Sequence, residues 1–158
     1  MNIVVGVADM KISSNTEDVI VTYSLGSCIG VSAYDSHARV GGILHYMLPQ
    51  SNINNGKSDI NPCMFADTGI PLLFNSLFKM GARKSQIVVK IAGGAQILDE
   101  SEFFAIGKRN YIMLKKILWK NQVLIKSEHV GGFLARTLYL DINSGKTWLK
   151  IKGQRVEL

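Results

Sequence analysis

The sequence predicts a mixed α/β domain in which at least two helices pack on a sheet rich in antiparallel strands. Short runs of β-branched and aromatic residues, bounded by glycine and turn-forming residues, recur along the chain and indicate strands. Two longer segments repeat apolar residues at three- and four-residue spacing, which is typical of amphipathic helices. The length of 158 residues and the hydrophobic fraction of 47% fit one domain over residues 1–158, large enough to bury roughly two thirds of its unfolded surface.

The first strands are predicted from runs of β-branched residues. Residues 1–5 and the sequence V-I-V-T-Y at 19–23 look extended. Residues 27–34 and 39–46 are also strand-like, and the four residues between them, D-S-H-A, suit a hairpin loop. The sequence therefore predicts an antiparallel hairpin over residues 27–46.

The two helices are predicted after this hairpin. Residues 50–61 are polar with little to bury, so we expect a mobile loop there. The first helix carries an apolar face over residues 66–78 and is expected to end at Gly81, with a kink at Pro71 unless that residue lies in the first turn. The second helix is predicted at about residues 109–120. The remaining strands are predicted at residues 86–92, 123–128, 134–142 and 146–152.

Composition narrows the classes of function. No stretch approaches the roughly 18 apolar residues of a membrane span, and the N-terminus lacks the pattern of a signal peptide, so we expect a cytoplasmic protein. Two cysteines make no disulfide framework, and without C-x-x-C or H-x-x-x-H pairs we expect no structural zinc site. The net charge of +6 could favour an acidic partner, nucleic acid or an anionic membrane face. The 18 basic residues look dispersed, however, as on an ordinary solvated surface, and we expect no nucleic-acid partner.

Cys28 and His45 are predicted to face each other across the hairpin. If Tyr34 pairs with Arg39, the same register places Cys28 directly opposite His45. Directly paired residues have Cβ atoms about 4.5–5.5 Å apart, close enough for a thiol and an imidazole to share a proton. A slip of one residue would turn one of the two side chains to the other face of the sheet.

The residues around Cys28 suit a nucleophile. Gly26 permits a sharp turn, and the successive amides of Gly26, Ser27 and Cys28 could converge on one oxyanion. A thiol with a pKa near about 8.5 is mostly protonated at neutral pH and needs an adjacent base, which His45 could supply. Thr22 on the preceding strand is a candidate to hold the imidazole, through its hydroxyl or through its backbone carbonyl.

Each candidate residue also has an ordinary structural explanation. A free cysteine is among the most buried residue types, and a threonine in a strand usually reflects β propensity. Gly93 and Gly94 follow a predicted strand and could approach a substrate or simply form a tight turn. Cys63 is expected to be a small apolar residue, and His129 a strand-edge histidine with a structural partner. Residues 145–147 (G-K-T) are expected to form a hairpin turn.

Six motifs resemble one protein family in sequence and order. The segment T-Y-S-L-G-S-C-I-G-V, followed by G-G-I-L-H-Y-M-L-P, resembles the CheD family of chemoreceptor glutamine deamidases. F-A-D-T-G, K-I-A-G-G-A, I-G-K-R-N and G-G-F-L-A-R then follow in family order, so the resemblance covers nearly the whole chain. It implies a catalytic set of Thr22, Cys28 and His45, with Gly93 and Gly94 shaping the cleft. It also implies a layered α/β/α sandwich similar to bacterial toxin deamidase catalytic domains.

The resemblance further implies an activity and its partners. The protein would be a protein-glutamine glutaminase, a hydrolase that converts glutamines of methyl-accepting chemoreceptors to glutamate with release of ammonia. The chemistry would pass through a cysteine thioester, would need no cofactor, and could extend to glutamate methyl esters as a side reaction. We expect it to act in the cytoplasm, at receptor arrays. The alternative is mainly a binding module for chemoreceptors and a CheC-type chemotaxis phosphatase; a cysteine protease or transglutaminase is a third possibility.

The apolar pair Phe133-Leu134 lies where more polar residues would be expected in this family. Together with residues 50–61, the pair is predicted to border a docking face for a receptor or a phosphatase. The alternative prediction is that Phe133 belongs to the hydrophobic core.

Overall fold

Ten strands and two long helices make up the part of the fold that the structure describes. The computed structural model describes residues 1–51, 60–96 and 105–158. The helices are α1 (Ala66–Lys79) and α2 (Ile106–Lys120). In chain order the strands are β1 (Asn2–Val5), β2 (Asp9–Ser13), β3 (Val19–Leu25), β4 (Ile29–Asp35), β5 (Val40–Tyr46), β6 (Ile87–Gly93), β7 (Ile125–Val130), β8 (Arg136–Asp141), β9 (Thr147–Ile151) and β10 (Gln154–Glu157).

The strands form two sheets whose members interleave along the chain. The first sheet has the order β1-β3-β8-β9-β10, and the second has the order β2-β5-β4-β6-β7. The pairs β1/β3 and β6/β7 are parallel, and the other pairs are antiparallel. The prediction of a mixed α/β fold rich in antiparallel strands is therefore confirmed. The two strands that sequence analysis missed, β2 and β10, are short edge strands.

Two hydrophobic clusters divide the fold into three layers. One cluster joins both helices to the second sheet and includes Leu44 of β5, Leu73 of α1 and Leu114 of α2. The other fills the space between the two sheets and includes Ile43 and Leu138. The predicted α/β/α sandwich is therefore wrong, because both helices cover the same face of the second sheet and the first sheet covers the other. The similarity to toxin deamidase domains stays a prediction.

The residues of β4 and β5 are buried throughout, since both faces of these strands are covered. Such continuous burial indicates that a strand lies between two layers. Apolar patterning does not say whether a helix or a sheet supplies each layer. Sequence analysis predicted the hairpin itself, and the α/β/α arrangement came from the resemblance to the CheD family rather than from the pattern of apolar residues.

The β4–β5 hairpin has a different register from the predicted one. Asp35 pairs with Val40 and Gly30 pairs with His45, so Cys28 is not directly opposite His45 and that prediction is wrong. The loop still has four residues, but it begins one residue later, because Asp35 stays in the strand. Its Oδ1 accepts hydrogen bonds from the loop amides of His37 at 2.8 Å and Ala38 at 3.0 Å, an arrangement typical of Asx turns.

Helix α1 confirms the predicted apolar face and the predicted end. Gly81 has a φ of 98°, a left-handed conformation that favours glycine after a helix. The amides of Gly81 and Ala82 donate to the carbonyls of Phe78 and Leu77, each at 3.0 Å. Pro71 is the sixth residue of the helix, which continues through it.

Candidate active site

Cys28 lies in a short turn where the chain crosses from the first sheet to the second. Strand β3 ends at Leu25 and β4 begins at Ile29, so three residues make the crossing. The carbonyls of all three accept hydrogen bonds from elsewhere in the protein: Gly26 from the Ala95 amide at 2.8 Å, Ser27 from Asn110 Nδ2 at 2.9 Å, and Cys28 from the Gly94 amide at 2.9 Å. The turn that carries the thiol is thus held by the two residues that follow β6 and by α2.

The Cys28 thiol is partly buried against the cluster between the sheets. Burial raises the pKa of this thiol, while the residue's own backbone amide, hydrogen-bonded to the sulfur, acts to lower the pKa. The resting side chain is therefore a neutral thiol at neutral pH, and its reaction as a thiolate requires a base that takes its proton.

His45 lies on the same side of the second sheet as the Cys28 thiol, and a chain of two hydrogen bonds holds its imidazole there. Its Nδ1 lies 2.7 Å from the hydroxyl oxygen of Thr22, and that hydroxyl donates to the carbonyl of Val5 at 2.9 Å. A hydroxyl has a single proton, so Thr22 can only accept from His45. Nδ1 therefore carries the ring proton, and Nε2 carries the basic lone pair.

The environment of His45 keeps the ring neutral. Only 1% of the residue is exposed, and burial lowers its pKa from 6.5 to about 4, although Asp9 on the neighbouring strand β2 acts to raise it. Within the described part of the chain, Nε2 of His45 has no hydrogen-bond partner. The ring thus presents an unprotonated nitrogen that is free to accept a proton.

The β4–β5 ladder begins with the pair Ile29 and Tyr46, so Cys28 lies in the turn just before the first paired residue. Gly30, two residues after Cys28, is the direct partner of His45, so a strand continued back to Cys28 would keep both side chains on one face. Diagonal neighbours lie about 7–8 Å apart, farther than the predicted direct pair. Gly30 has no side chain opposite the imidazole, and the side chains of Leu25 and Leu138 pack over it, each with a methyl group 2.9 Å from where a Cβ would lie.

Asn110 on α2 joins the segments that carry the thiol and the imidazole. Its Nδ2 donates to the carbonyl of Ser27 at 2.9 Å and to the carbonyl of Met47 at 2.8 Å. The residue is fully buried, and its backbone carbonyl accepts a hydrogen bond from the Tyr46 hydroxyl at 2.7 Å. Sequence analysis did not select Asn110, although this residue ends the I-G-K-R-N motif.

Gly93 and Gly94 support the turn through close backbone contact. Gly93 has a φ of 117°, and a Cβ there would lie 2.2 Å from the carbonyl oxygen of Cys28. Gly94 has a φ of 63° and packs against the backbone of Gly107 at the start of α2. Any side chain at Gly93 would displace the Cys28 turn, which supports the predicted role of these glycines in shaping the site.

The other polar residues singled out in the sequence lie in structural settings. The imidazole of His129 accepts a hydrogen bond from Arg136 Nε at 2.8 Å, and β7 is an edge strand, as predicted. Residues 142–146 join β8 to the antiparallel strand β9, so residues 145–147 lie at the end of a hairpin turn, as predicted. Cys63 packs against the cluster beneath the helices. Most of the predicted rim loop, residues 52–59, lies outside the described residues.

The described residues contain no group of three or more histidine, cysteine, aspartate or glutamate side chains placed to hold a metal ion. Among the same residues, no helix has the length and apolar character of a membrane span. The site combines a partly buried thiol, a neutral histidine whose Nε2 has no partner in the described ranges, and a hydroxyl that orients the ring. These are the groups of a candidate cysteine hydrolase site.

Comparison with known proteins gives the family. The family model described as CheD chemotactic sensory transduction matches residues 47–151. The "Probable chemoreceptor glutamine deamidase CheD 1" of Syntrophus aciditrophicus is 49% identical over 152 residues, 96% of this chain and 95% of that protein. The "Probable chemoreceptor glutamine deamidase CheD" of Solibacter usitatus is 49% identical over 156 residues, 99% of this chain and 92% of that protein. The chain belongs to the CheD family.

A solved structure also aligns with part of the fold. A crystal structure of a Neisseria meningitidis protein of family DUF152 has a TM-score of 0.46 and 9% sequence identity. The alignment covers 82% of this chain, which spans 62% of the length of that one.

Proposed function

We propose that this CheD protein is a chemoreceptor glutamine deamidase, a hydrolase of bacterial chemotaxis that uses Cys28 as its nucleophile. The names of its near relatives support the substrate class. The observation that carries the residue assignment is the hydrogen-bond chain from Val5 through Thr22 to His45. It leaves a basic Nε2 with no partner among the described residues, and Cys28 packs against the cluster on the same side of the second sheet. His45 is then the general base, and Thr22 positions it.

The first half of the reaction transfers the acyl group to sulfur. Nε2 of His45 takes the proton of the Cys28 thiol, and the sulfur attacks the carboxamide carbon of a receptor glutamine. The resulting oxyanion is stabilised by backbone amides of the turn, those of Gly26, Ser27 and Cys28 being the candidates, since their carbonyls are bonded on the other side. The imidazolium returns its proton to the nitrogen as the C–N bond breaks. Ammonia leaves, and a thioester remains.

The second half restores the enzyme. His45 removes a proton from a water molecule, whose oxygen attacks the thioester carbon. The C–S bond then breaks, the sulfur regains its proton from the imidazolium, and the receptor residue leaves as glutamate. No metal or cofactor takes part in these steps. A glutamate methyl ester would enter the same sequence with methanol as the leaving group, so methylesterase activity is part of the proposal.

The direct test is mass spectrometry of receptor cytoplasmic fragments after incubation with the protein. Each deamidation raises the fragment mass by about 1 Da, and we expect Cys28→Ala and His45→Ala to abolish the change while remaining folded. Cys63→Ala is the matched control, since it removes the other thiol. Normal product formation by a folded Cys28→Ala variant would remove Cys28 from the mechanism.

A second candidate function, that of an adaptor for a CheC-type phosphatase, is favoured by the exposure of Phe133 and Leu134. These side chains are 75% and 42% exposed, so the alternative prediction that Phe133 belongs to the core is wrong. Their loop is anchored beside the candidate active site, because the Gly131 amide donates to the Gly93 carbonyl at 2.9 Å. A partner that binds there would cover the approach to Cys28. Such binding would take place in the cytoplasm, at receptor arrays.

The variant Phe133→Ser separates docking from chemistry. We expect this variant to bind the receptor fragment or the phosphatase more weakly. Its melting temperature should be unchanged and its turnover of a small glutamine substrate nearly unchanged, because the Phe133 side chain is exposed and lies outside the hydrogen-bonded site. Undiminished binding of both partners in this stable variant would contradict the docking function and leave the deamidase proposal standing.

A further inference from the structure

The positive charge of the chain is concentrated on its helical layer. Residues 66–86 and 106–126 contain nine lysines and arginines and one acidic residue, a net charge of +8, whereas the whole chain has +6. All other residues together therefore carry −2. The prediction that the basic residues are dispersed over the surface is therefore wrong. The two helical segments lie on the same face of the second sheet, so their charges share one side of the molecule.

The outward side of α2 combines this charge with exposed apolar side chains. Its exposed residues repeat at helical spacing and include no acidic side chain: Lys108, Arg109, Ile112, Lys115, Lys116, Trp119 and Lys120. Trp119 is 80% exposed and Ile112 is 54% exposed. Leu124, 88% exposed, extends the apolar surface just beyond the helix. We call these eight residues the basic face of α2.

The charges of this face are not neutralised within the described residues. The ion pairs found there are Lys11–Asp9 and Arg155–Glu157, both outside the basic face. Lys115 lies over the ring of Tyr111, 5.4 Å from its centroid, a contact that leaves the charge in place. A basic surface of this kind attracts an anionic partner. Its exposed tryptophan and leucine would be buried only by a partner that also offers an apolar environment.

We propose that the basic face of α2 docks the protein onto an anionic phospholipid membrane surface. Charge complementarity identifies the partner as anionic, and the side chains distinguish a lipid surface from a protein. Protein interfaces are depleted in lysine and enriched in arginine, whereas this face has four lysines and one arginine. Lysines flanking an exposed tryptophan and aliphatic side chains are typical of helices that lie in the membrane interface.

Docking through this face leaves the candidate active site accessible. Asn110, Leu114 and Leu118 form the buried side of α2, and Asn110 contacts the Cys28 turn from that side. The membrane would contact the opposite side of the helix. The proposal is independent of the proposed deamidation, since it requires only the surface of α2 and its test has no catalytic readout.

The test is co-sedimentation with lipid vesicles, using two double variants of equal net charge. Lys116→Gln with Lys120→Gln changes the basic face, and Lys146→Gln with Lys152→Gln changes exposed lysines in the turns of the first sheet. We expect binding to vesicles of phosphatidylglycerol and phosphatidylethanolamine, weakened by salt, and none to phosphatidylcholine vesicles. Each lysine near an anionic surface contributes roughly fivefold, so the first pair should weaken binding about twenty-five-fold and the second pair much less.

Tryptophan fluorescence locates the contact. Trp119 lies on the basic face, and Trp148 stacks on Tyr139 in the first sheet, with ring centroids 5.2 Å apart. Anionic vesicles should shift the emission to shorter wavelength, and Trp119→Ala should abolish the shift. Absence of wild-type sedimentation, equal losses in both double variants, or a shift that persists in Trp119→Ala would overturn the proposal. Failure to bind vesicles, with binding of a receptor fragment lost only in the first double variant, would assign the face to a protein partner instead.

Discussion

Replacing Thr22 by valine tests whether the hydroxyl of this residue sets the tautomer of His45. The substitution keeps the branched shape and removes the oxygen that lies 2.7 Å from Nδ1 of the imidazole. Both residues are buried, so the Nδ1–H group would lose its partner without gaining water. An unsatisfied buried donor costs about 1–3 kcal/mol, which corresponds to a decrease in Tm of roughly 3–10 °C for a domain of this size.

The same loss reduces the fraction of His45 that carries its proton on Nδ1. If the hydrogen bond to Thr22 contributes about 1–3 kcal/mol to that tautomer, its removal lowers the population with a basic Nε2, and hence the rate, by roughly fivefold to a hundredfold. The effect should fall on kcat rather than on KM, because Thr22 is fully buried and does not contact a substrate. Thr22→Ser keeps the hydroxyl and should retain most of the activity.

The assay is the rate of deamidation of a receptor cytoplasmic fragment, measured by mass spectrometry on wild type, Thr22→Val and Thr22→Ser, with the melting temperature of each. Unchanged turnover in a folded Thr22→Val protein would refute the role of the hydroxyl. Equal losses in the serine and valine variants would also refute it, because only one of them lacks the oxygen.

Three further predictions concern the same site. Iodoacetamide at neutral pH should label Cys28 before Cys63, and His45→Ala should slow that labelling; equal rates for both thiols would argue against activation by His45. Asn110→Ala should lower stability by about 2–4 kcal/mol and turnover by more than tenfold, since two hydrogen bonds are lost, one to the Cys28 turn and one to Met47 just after β5. Denaturant unfolding and the deamidation assay measure these two effects, and an unchanged variant would contradict the positioning role. The lowered pKa of His45 means that the unfolded state binds more protons between about pH 6.5 and 4. The free energy of unfolding should therefore fall as the pH drops through that window. Its dependence on pH should be weaker in His45→Gln, which lacks the titrating group.

The hairpin illustrates how far sequence analysis can predict this site. Alternation and turn chemistry predicted β4, β5 and a four-residue loop, but the carboxylate of Asp35 accepts the loop amides, so the loop begins one residue later. The resulting change of register is two residues, and side chains alternate with a period of two. Cys28 and His45 consequently keep the same face, although the direct pairing was wrong.

Features that depend on contact between the layers of the fold were harder to predict from the sequence. The burial of β4 is evident from its composition, yet only the fold shows that the first sheet covers the face that carries His45. Asn110 was missed because its function arises from two carbonyls far away in sequence, those of Ser27 and Met47. The concentration of charge on α2 was missed for a related reason: dispersed lysines in the sequence become one surface when the helices share a face of the sheet.

Trapping of the acyl group with hydroxylamine tests the thioester at Cys28 most directly. Hydroxylamine added during turnover should compete with water for a thioester carbon, so the receptor glutamine should be converted partly to a glutamyl hydroxamate. We predict that the hydroxamate fraction, measured by mass spectrometry of receptor peptides, rises with hydroxylamine concentration and is absent with Cys28→Ala. Conversion to glutamate alone at every hydroxylamine concentration, or hydroxamate formation by Cys28→Ala, would contradict a thioester on Cys28.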